Sequence, residues 1–158
     1  MQYNIEHNVL TPGTAADSYL AAAVADFLRH QLLAARQSFT FETAMSHPSK
    51  LDLLRLATAH GYRTYLYFIA TETPAVNVGR VQNRVSKGGH PVPSDKIVQR
   101  YQKTLQLLPE ALRLVSRAYL FDNSSTAIRW FAEFDSRRVI LHDEPVPQWF
   151  RRTWPEVE

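Results

Sequence analysis

The stretch TYLYFIATETP, from Thr64 to Pro74, decides the fold class. Its first eight residues are mostly aromatic, aliphatic or β-branched on both faces of an alternating strand, which is typical of a buried parallel strand. Thr73 and Pro74 follow, and proline is favoured in the first turn of a helix. The stretch therefore predicts a strand over residues 64–71, and then a helix that ends at Gly88–Gly89.

Downstream of this unit, the pattern continues with a helix and three strands. A helix is predicted from a Ser94 cap towards Arg117, and Pro109 should kink or split it. AYLFDNS (118–124) predicts the next apolar strand. TAIRWFAEFD and RRVILHDE then predict a strand pair that is joined by a turn at residues 135–138.

Upstream, the sequence predicts two helices around one strand. The alanine- and leucine-rich stretch from Thr14 to about Ala35 predicts a helix with Thr14 as its cap. SFTFET (38–43) alternates and predicts a strand. A second helix should run from a Ser49 cap to Gly61. The alternation of strands and helices predicts a single α/β domain over residues 1–158, with a parallel sheet flanked by helices.

The composition excludes several classes of protein. Of 158 residues, 45% are hydrophobic and 21% are charged, which is usual for a globular domain with a core. The chain has no cysteine for a disulfide, a nucleophile or a metal site. No signal peptide and no apolar run of about 20 residues is present. We therefore expect a cytoplasmic protein without a membrane span, and the net charge of +3 does not by itself indicate nucleic-acid binding.

Polar residues follow each of the three predicted parallel strands. They are Glu42–Thr43, Thr71–Glu72, and Asp122–Asn123–Ser124. Ligands of open α/β sheets bind at the carboxyl ends of strands, so these groups are candidates for a site. A helix cap or a solvated loop is the simpler interpretation of each. Glu42 stands out because it follows an aromatic strand and, if it is desolvated, needs a cation or a donor nearby.

The segment from Gly79 to Tyr101 is rich in cations. Arg80 and Arg84 share one face of the predicted helix, Lys87 lies a turn further on, and Arg100 belongs to the next helix. Asp95 is the only acid in the segment. One interpretation is a solvated surface paired with Asp95 or Glu72. The other is a lid that captures an anion, with arginines on a phosphoryl group and with Gly88–Gly89 as its hinge.

The sequence gives little support for a metal site, a serine nucleophile or nucleic-acid binding. The six histidines show no metal-binding spacing, so no metal site is expected, and the chain has no G-x-S-x-G nucleophile motif. His90 is a phosphate donor in the lid or simply a loop histidine. The tail VPQWFRRTWPEVE combines aromatic and basic residues as single-strand nucleic-acid binders do, although packing of its aromatic rings on the sheet is favoured.

Three elements together resemble the zeta toxin-like P-loop kinase family, in particular its bacterial branch. They are SFTFET (38–43), GRVQNRVSKGGHPVP (79–93) with the RY pair at 100–101, and AYLFDNS (118–124). The resemblance is collinear from about Asn4 to Ser124. It implies a P-loop kinase fold, with a lid over about residues 73–104 and a C-terminal strand pair and tail over about residues 126–158.

The resemblance also implies roles for particular residues. It implies an ATP- and Mg²⁺-dependent kinase of a small molecule such as an amino-sugar nucleotide, and an antitoxin partner. Arg80, with Arg84 as second choice, corresponds to the catalytic lid arginine. Glu6 stands where the family has an aspartate as general base. The substrate-binding positions correspond to Glu42, Thr43, His90 and Arg100, and Asp122–Asn123 would lie beside the nucleotide base.

One family element is missing from the sequence. No G-x-x-x-x-G-K-[ST] motif occurs in the 158 residues. The sequence therefore lacks the backbone amides and the lysine of the loop that binds the β- and γ-phosphates. We expect an impaired or shortened kinase that lacks the first strand and the phosphate loop. The alternatives are a non-catalytic module that binds a nucleotide, a phosphate or a protein, or a fold whose gap is filled by a second chain or by the C-terminal strand pair.

Overall fold

The computed structural model describes residues 15–135 and 138–155, with side chains from residue 20 onward. The chain forms two compact units, Met1–Glu42 and Thr43–Glu158, and the expected single domain stays a prediction. In the first unit, helix α1 spans Ala15–Ala34, which confirms the helix predicted there. The predicted cap Thr14 lies outside the described residues.

The strand predicted over residues 38–43 is wrong. These residues have no regular secondary structure. A strand needs a neighbour for its backbone groups, and the described part of the chain pairs no strand with this segment. Instead, the rings of Phe39 and Phe41 stack with centroids 6.2 Å apart, and the guanidinium of Arg29 lies 5.0 Å from the Phe41 ring. The aromatic residues that suggested a strand therefore pack locally.

The second unit contains the remaining predicted elements and a C-terminal helix that the sequence analysis did not predict. They are helix α2 (Ser49–Ala59), strand β1 (Tyr65–Ala70), helix α3 (Pro74–Ser86), helix α4 (Ser94–Leu114), strands β2 (Arg117–Asp122), β3 (Arg129–Asp135) and β4 (Arg138–Leu141), and helix α5 (Gln148–Thr153). The two strand–helix alternations and the C-terminal strand pair are confirmed.

The four strands form one mixed sheet in the order β1-β2-β3-β4. β1 and β2 are parallel, as expected for a strand–helix–helix–strand connection, and β3 and β4 are antiparallel. This α/β architecture agrees with a P-loop kinase-like fold. The C-terminal pair extends the sheet beyond β2, on the side away from β1. On the other side of β1, the described residues place no strand, and the alternative in which the C-terminal pair fills the gap of the missing first strand stays a prediction.

The helix ends differ in detail from the prediction. Ser49 and Ser94 are the first helical residues, while Pro48 and Pro93 occupy the cap positions without a side-chain hydrogen bond. Gly61 closes α2 with a φ of +77°, as expected. Pro109 lies inside α4 without splitting it. Burial of the neighbouring Leu108 in the core offsets the single hydrogen bond that proline removes.

The core lies on one face of the sheet. Leu108, Ala111 and Leu112 of α4 are fully buried and pack with residues of β2 and β3. β1 contributes Phe68, but Tyr65, Tyr67 and Ile69 on its other face are exposed. The prediction that β1 is buried on both faces is therefore wrong. The prediction failed because an apolar strand sequence does not show whether one or both faces of the strand are covered by other elements.

The aromatic residues of the tail pack on this core. Trp149 and Phe150 in α5 are fully buried, and the Trp149 ring meets the Phe131 ring edge-on with centroids 5.6 Å apart. Trp154 packs edge-on against Phe134 at 5.6 Å. Such pairs contribute about 0.5–1.5 kcal/mol beyond their buried area. The packing interpretation of the tail is therefore confirmed.

Candidate functional site

A cavity lies at the carboxyl ends of the parallel strands β1 and β2. Its volume of about 370 Å³ is in the range of small-molecule sites. The apolar part is lined by Phe68, Ile69, Val81, Val92, Ile97 and Leu105, and the polar part by Thr71, Asn77, Arg80, Arg84, Arg100, Tyr101, Thr104 and Asn123. The strand ends, α3 and α4 thus form a pocket where the topology of such a sheet predicts one.

Three arginines line this cavity. Arg80 and Arg84 come from α3, and Arg100 comes from α4. Arg80 and Arg84 are one helical turn apart, so they project from the same face of α3. The structure therefore brings together the three cations that the sequence proposed for anion capture. We call Arg80, Arg84 and Arg100 the arginine cluster.

The arginine cluster contacts only neutral acceptors among the described residues. Arg80 donates to the carbonyl of Ser125 at 3.1 Å and to Oδ1 of Asn123 at 3.4 Å. Arg84 donates to the carbonyl of His90 at 3.3 Å. Within the described residues, no carboxylate lies within 4 Å of these guanidinium groups. Their charge is therefore available to an anion.

Gly88 and Gly89 hold the end of α3 beside Arg84. Gly88 has a φ of +87° and its N–H donates to Val85, while the Gly89 N–H donates to the carbonyl of Arg84 at 2.9 Å. This pair of bonds is a Schellman motif. A Cβ on Gly89 would come within 2.6 Å of Cγ and 2.8 Å of the carbonyl oxygen of Arg84. The glycines therefore fix the backbone that carries Arg84, and the proposed hinge motion stays a prediction.

The polar ends of β1 and β2 are joined to each other. The Ser124 hydroxyl accepts from the Glu72 N–H at 2.7 Å and donates to the Asp122 carboxylate at 2.5 Å. The same carboxylate accepts from Nε1 of Trp149 at 3.3 Å and lies 3.9 Å from Arg129. Asp122 is thus occupied in holding the C-terminal part of the fold.

Glu72 also serves the C-terminal helix. Its carboxylate accepts from the Gln148 N–H at 3.1 Å, at the start of α5, and from Arg152 at 3.4 Å. A carboxylate is favourable at a helix N-terminus, where N–H groups are unpaired. The solvated-surface interpretation had offered Glu72 as a partner of the lid arginines, and the structure instead pairs it with Arg152.

The other predicted site residues are placed as follows. Asn123 lines the cavity and contacts Arg80. Thr43 is exposed, and its Oγ1 accepts from the Met45 N–H at 3.1 Å. His90 is exposed and contributes its carbonyl, so neither side chain lines the cavity. Glu42 is exposed at the end of the first unit. Glu6 lies outside the described residues.

The sequence reasoning missed Tyr101 and Asn77. The Tyr101 hydroxyl donates to the carbonyls of Thr71 and Glu72, at 2.9 and 3.1 Å, and so ties α4 to the end of β1. Burial raises the pKa of Tyr101 above its ordinary value of 10.0, and Glu72 adds to the rise while Arg152 opposes it. Asn77 lies three residues before Arg80, and this helical spacing was a signal that could have identified it.

The described residues show neither a metal cluster nor a membrane helix. In that part of the chain, no group of three or more His, Asp or Glu side chains is arranged to hold a metal ion. None of the described helices has the length and apolar character needed to cross a bilayer.

Comparison with known proteins identifies a family for this chain. The model of the zeta toxin family matches residues 17–130, which is more than half of the chain. The match includes α3, α4 and the whole arginine cluster. No curated protein and no solved structure matches the chain. The chain therefore belongs to the zeta toxin family.

Proposed function

We propose that this chain binds a phosphate-bearing small molecule in the cavity and forms the acceptor-binding part of a zeta toxin-like phosphotransferase. The acceptor class that the family suggests is an amino-sugar nucleotide. The observation that carries the proposal is the arginine cluster: Arg80, Arg84 and Arg100 line one cavity, and no described carboxylate neutralises them. Such an arrangement favours a ligand that brings its own negative charge.

Each part of the cavity has a role in this proposal. Guanidinium groups are planar and can donate two parallel hydrogen bonds to phosphate oxygens. Arg84, whose backbone the Gly88–Gly89 cap fixes, and Arg80, which bridges to Asn123, position these donors. The apolar wall of Phe68, Val81 and Ile97 excludes water from one side of the ligand, which strengthens the electrostatic contacts.

The residues of this chain are less suited to bind ATP and Mg²⁺ than to bind a phosphate-bearing acceptor. The family implies ATP and Mg²⁺, but no phosphate-loop motif occurs in this sequence, and Asp122 is already engaged by Ser124 and Trp149. ATP would supply the phosphoryl group. The residues of this chain would bind the acceptor, orient it and shield its charge, with Arg80 and Arg84 in the lid.

Further roles belong to the same proposal. Glu6 would accept a proton from the acceptor hydroxyl, with Glu42 and Thr43 holding the acceptor. The proposal also includes an antitoxin as protein partner and a cytoplasmic location, which the family suggests.

The second candidate is a non-catalytic binding module of the same fold. It is favoured by the missing phosphate-loop motif, because phosphoryl transfer depends on positioning the γ-phosphate. Both candidates predict anion binding in the cavity. They differ in whether an acceptor becomes phosphorylated when ATP and Mg²⁺ are added.

Calorimetry with the 158-residue chain tests the proposal. We expect an amino-sugar nucleotide to bind, with an affinity that falls as salt rises, and the corresponding N-acetylated sugar without phosphates not to bind. A phosphorus-31 NMR assay with MgATP then separates the two candidates: a phosphorylated product supports the phosphotransferase, and binding without product supports the module. If the nucleotide does not bind to the folded chain at low salt, both are wrong.

A further inference from the structure

The three guanidinium groups of the arginine cluster are held by the protein to different extents. Arg80 donates two hydrogen bonds, to the carbonyl of Ser125 at 3.1 Å and to Oδ1 of Asn123 at 3.4 Å. Arg84 donates one, to a backbone carbonyl at 3.3 Å. Arg100 donates none to any residue that the structure describes. The three cations that line one cavity therefore keep different numbers of free N–H groups.

Both hydrogen bonds of Arg80 are donated by the same nitrogen, Nη2. This nitrogen carries two hydrogens, so its two acceptors in the protein occupy it. Nη2 belongs to both edges from which a guanidinium donates two parallel hydrogen bonds, because Nε–H points alongside Nη2 and not alongside Nη1. Arg80 is thus left with Nε and Nη1, which do not point in parallel and cannot bind one phosphate as a pair.

The acceptors of Nη2 belong to the turn after β2, and this turn is itself held in place. The N–H of Asn123 donates to the carbonyl of Ala70 at 2.7 Å. The Ser124 hydroxyl donates to Asp122 at 2.5 Å and accepts from the Glu72 N–H at 2.7 Å. Because the turn is tied to the ends of both parallel strands, turning Nη2 towards a ligand would break two hydrogen bonds without moving the acceptors with it.

We propose that Arg100 binds a phosphate of the ligand through two parallel hydrogen bonds, whereas Arg80 contacts the ligand through a single nitrogen. Arg100 has no acceptor among the described residues, so it keeps the complete fork that matches two phosphate oxygens. Arg84 is intermediate, because its one bond from Nη2 leaves the second hydrogen of that nitrogen. The inference rests on the proposed binding of a phosphate-bearing ligand in the cavity.

This difference between the arginines also specifies the ligand. Arg80 is oriented before the ligand arrives, so it loses little further side-chain freedom on binding, whereas the exposed Arg100 is ordered by the ligand. The matching ligand presents two oxygens of one phosphate towards Arg100 on α4 and a further oxygen towards Arg80 on α3. A diphosphate group has enough unesterified oxygens for both contacts, whereas a phosphodiester has only the pair that Arg100 would take.

Arginine-to-lysine substitutions test the proposal, because lysine keeps the positive charge but donates as a point and not as a fork. In calorimetric titrations with pyrophosphate at about 50 mM salt, we expect Arg100→Lys to lower the affinity about tenfold or more and Arg80→Lys to lower it about two- to threefold. Arg84→Lys should lie between them. Arg138→Lys is the matched control, since this exposed arginine of β4 does not line the cavity, and it should bind pyrophosphate as wild type does.

The outcomes separate this inference from the proposed function. Equal losses of pyrophosphate affinity in Arg80→Lys and Arg100→Lys, or a larger loss in Arg80→Lys, would overturn the inference while leaving anion binding in the cavity intact. A folded wild-type protein that does not bind pyrophosphate would overturn both.

Nitrogen-15 NMR of the ligand-free wild-type protein tests the restraint on Arg80 without a ligand and without a variant. The guanidinium of Arg80 should rotate slowly about its Nε–Cζ bond and give separate signals for Nη1 and Nη2. The guanidinium of Arg100 should give one averaged signal. Averaged signals from both arginines would mean that the turn after β2 does not hold Nη2, which would overturn the proposal.

Discussion

The arginines of the second unit fall into two groups with different surroundings. Arg117 lies between Asp135 and Glu133, and its hydrogen bond to Asp135, followed by the charges of these two acids, raises the pKa of Arg117 further above its ordinary value. Among the described residues, Arg80 and Arg84 contact only carbonyl and amide oxygens. The first kind of arginine is neutralised within the fold, whereas we propose that the second keeps its charge for a ligand. Sequence cannot separate the two kinds, because what distinguishes them is the residue across the sheet or the cavity.

The largest expected effect separates these two groups directly. Arg84→Ala should weaken pyrophosphate binding about tenfold to a hundredfold, because a charge-assisted hydrogen bond contributes roughly 1.5–3 kcal/mol. The melting temperature should change little, since Arg84 is exposed. Arg117→Ala should do the opposite: lower the melting temperature and leave pyrophosphate affinity within about twofold of wild type. Calorimetry and thermal unfolding of both variants check this. If both variants changed pyrophosphate affinity and melting temperature in the same way, the two groups of arginines would not differ in function.

The second prediction concerns the cap that holds Arg84. Gly89→Ala should destabilise the protein by about 1–3 kcal/mol, because the new methyl meets the Arg84 carbonyl. It should also weaken pyrophosphate binding. Gly88→Ala is the control: its left-handed φ costs about 1–2 kcal/mol, but the space around it is open. Urea unfolding gives the stabilities and calorimetry the affinities. Equal affinities in the two variants would show that the cap does not position Arg84.

The third prediction uses the pKa of Tyr101. A tyrosine whose folded pKa is raised stabilises the fold below its unfolded pKa of 10.0, and this contribution is lost as the pH rises through the folded pKa. Tyr101→Phe should lower the free energy of unfolding by about 1 kcal/mol at neutral pH. The difference between wild type and variant should shrink above about pH 10. Urea unfolding at a series of pH values measures it, and a difference independent of pH would contradict this account.

The smallest expected effect is at Gly79, beside Arg80 in α3. No atom lies within 4 Å of a Cβ built there, and its backbone is helical. Gly79→Ala should therefore stabilise the protein by about 0.5–1 kcal/mol and leave pyrophosphate affinity unchanged. Weaker binding in this variant would mean that the backbone at residue 79, and not only the arginine side chains, touches the ligand.

How far the sequence could predict the structure depended on whether a feature was local. The spacing of Arg80 and Arg84 on a helix and the glycine cap are local patterns, and both predicted their structures. The strand at 38–43 and the two-sided burial of β1 depend on neighbours that no local pattern specifies. SFTFET has strand-like residues without a partner strand among the described residues. The hydrogen bond between Asp122 and Trp149 could not be predicted from the sequence either, because the two residues are 27 positions apart in the chain.

The most direct test of the account compares two triple variants that lose the same charge. Arg80→Ala/Arg84→Ala/Arg100→Ala removes the arginine cluster, and Lys87→Ala/Lys96→Ala/Lys103→Ala removes three nearby exposed cations that do not line the cavity. In calorimetric titrations with pyrophosphate at about 50 mM salt, we predict that the arginine variant loses binding and that the lysine variant keeps it within a few-fold of wild type. Equal losses of pyrophosphate affinity in the two variants would mean that only the general positive charge of this region attracts anions. That result would contradict a specific binding site formed by the arginine cluster.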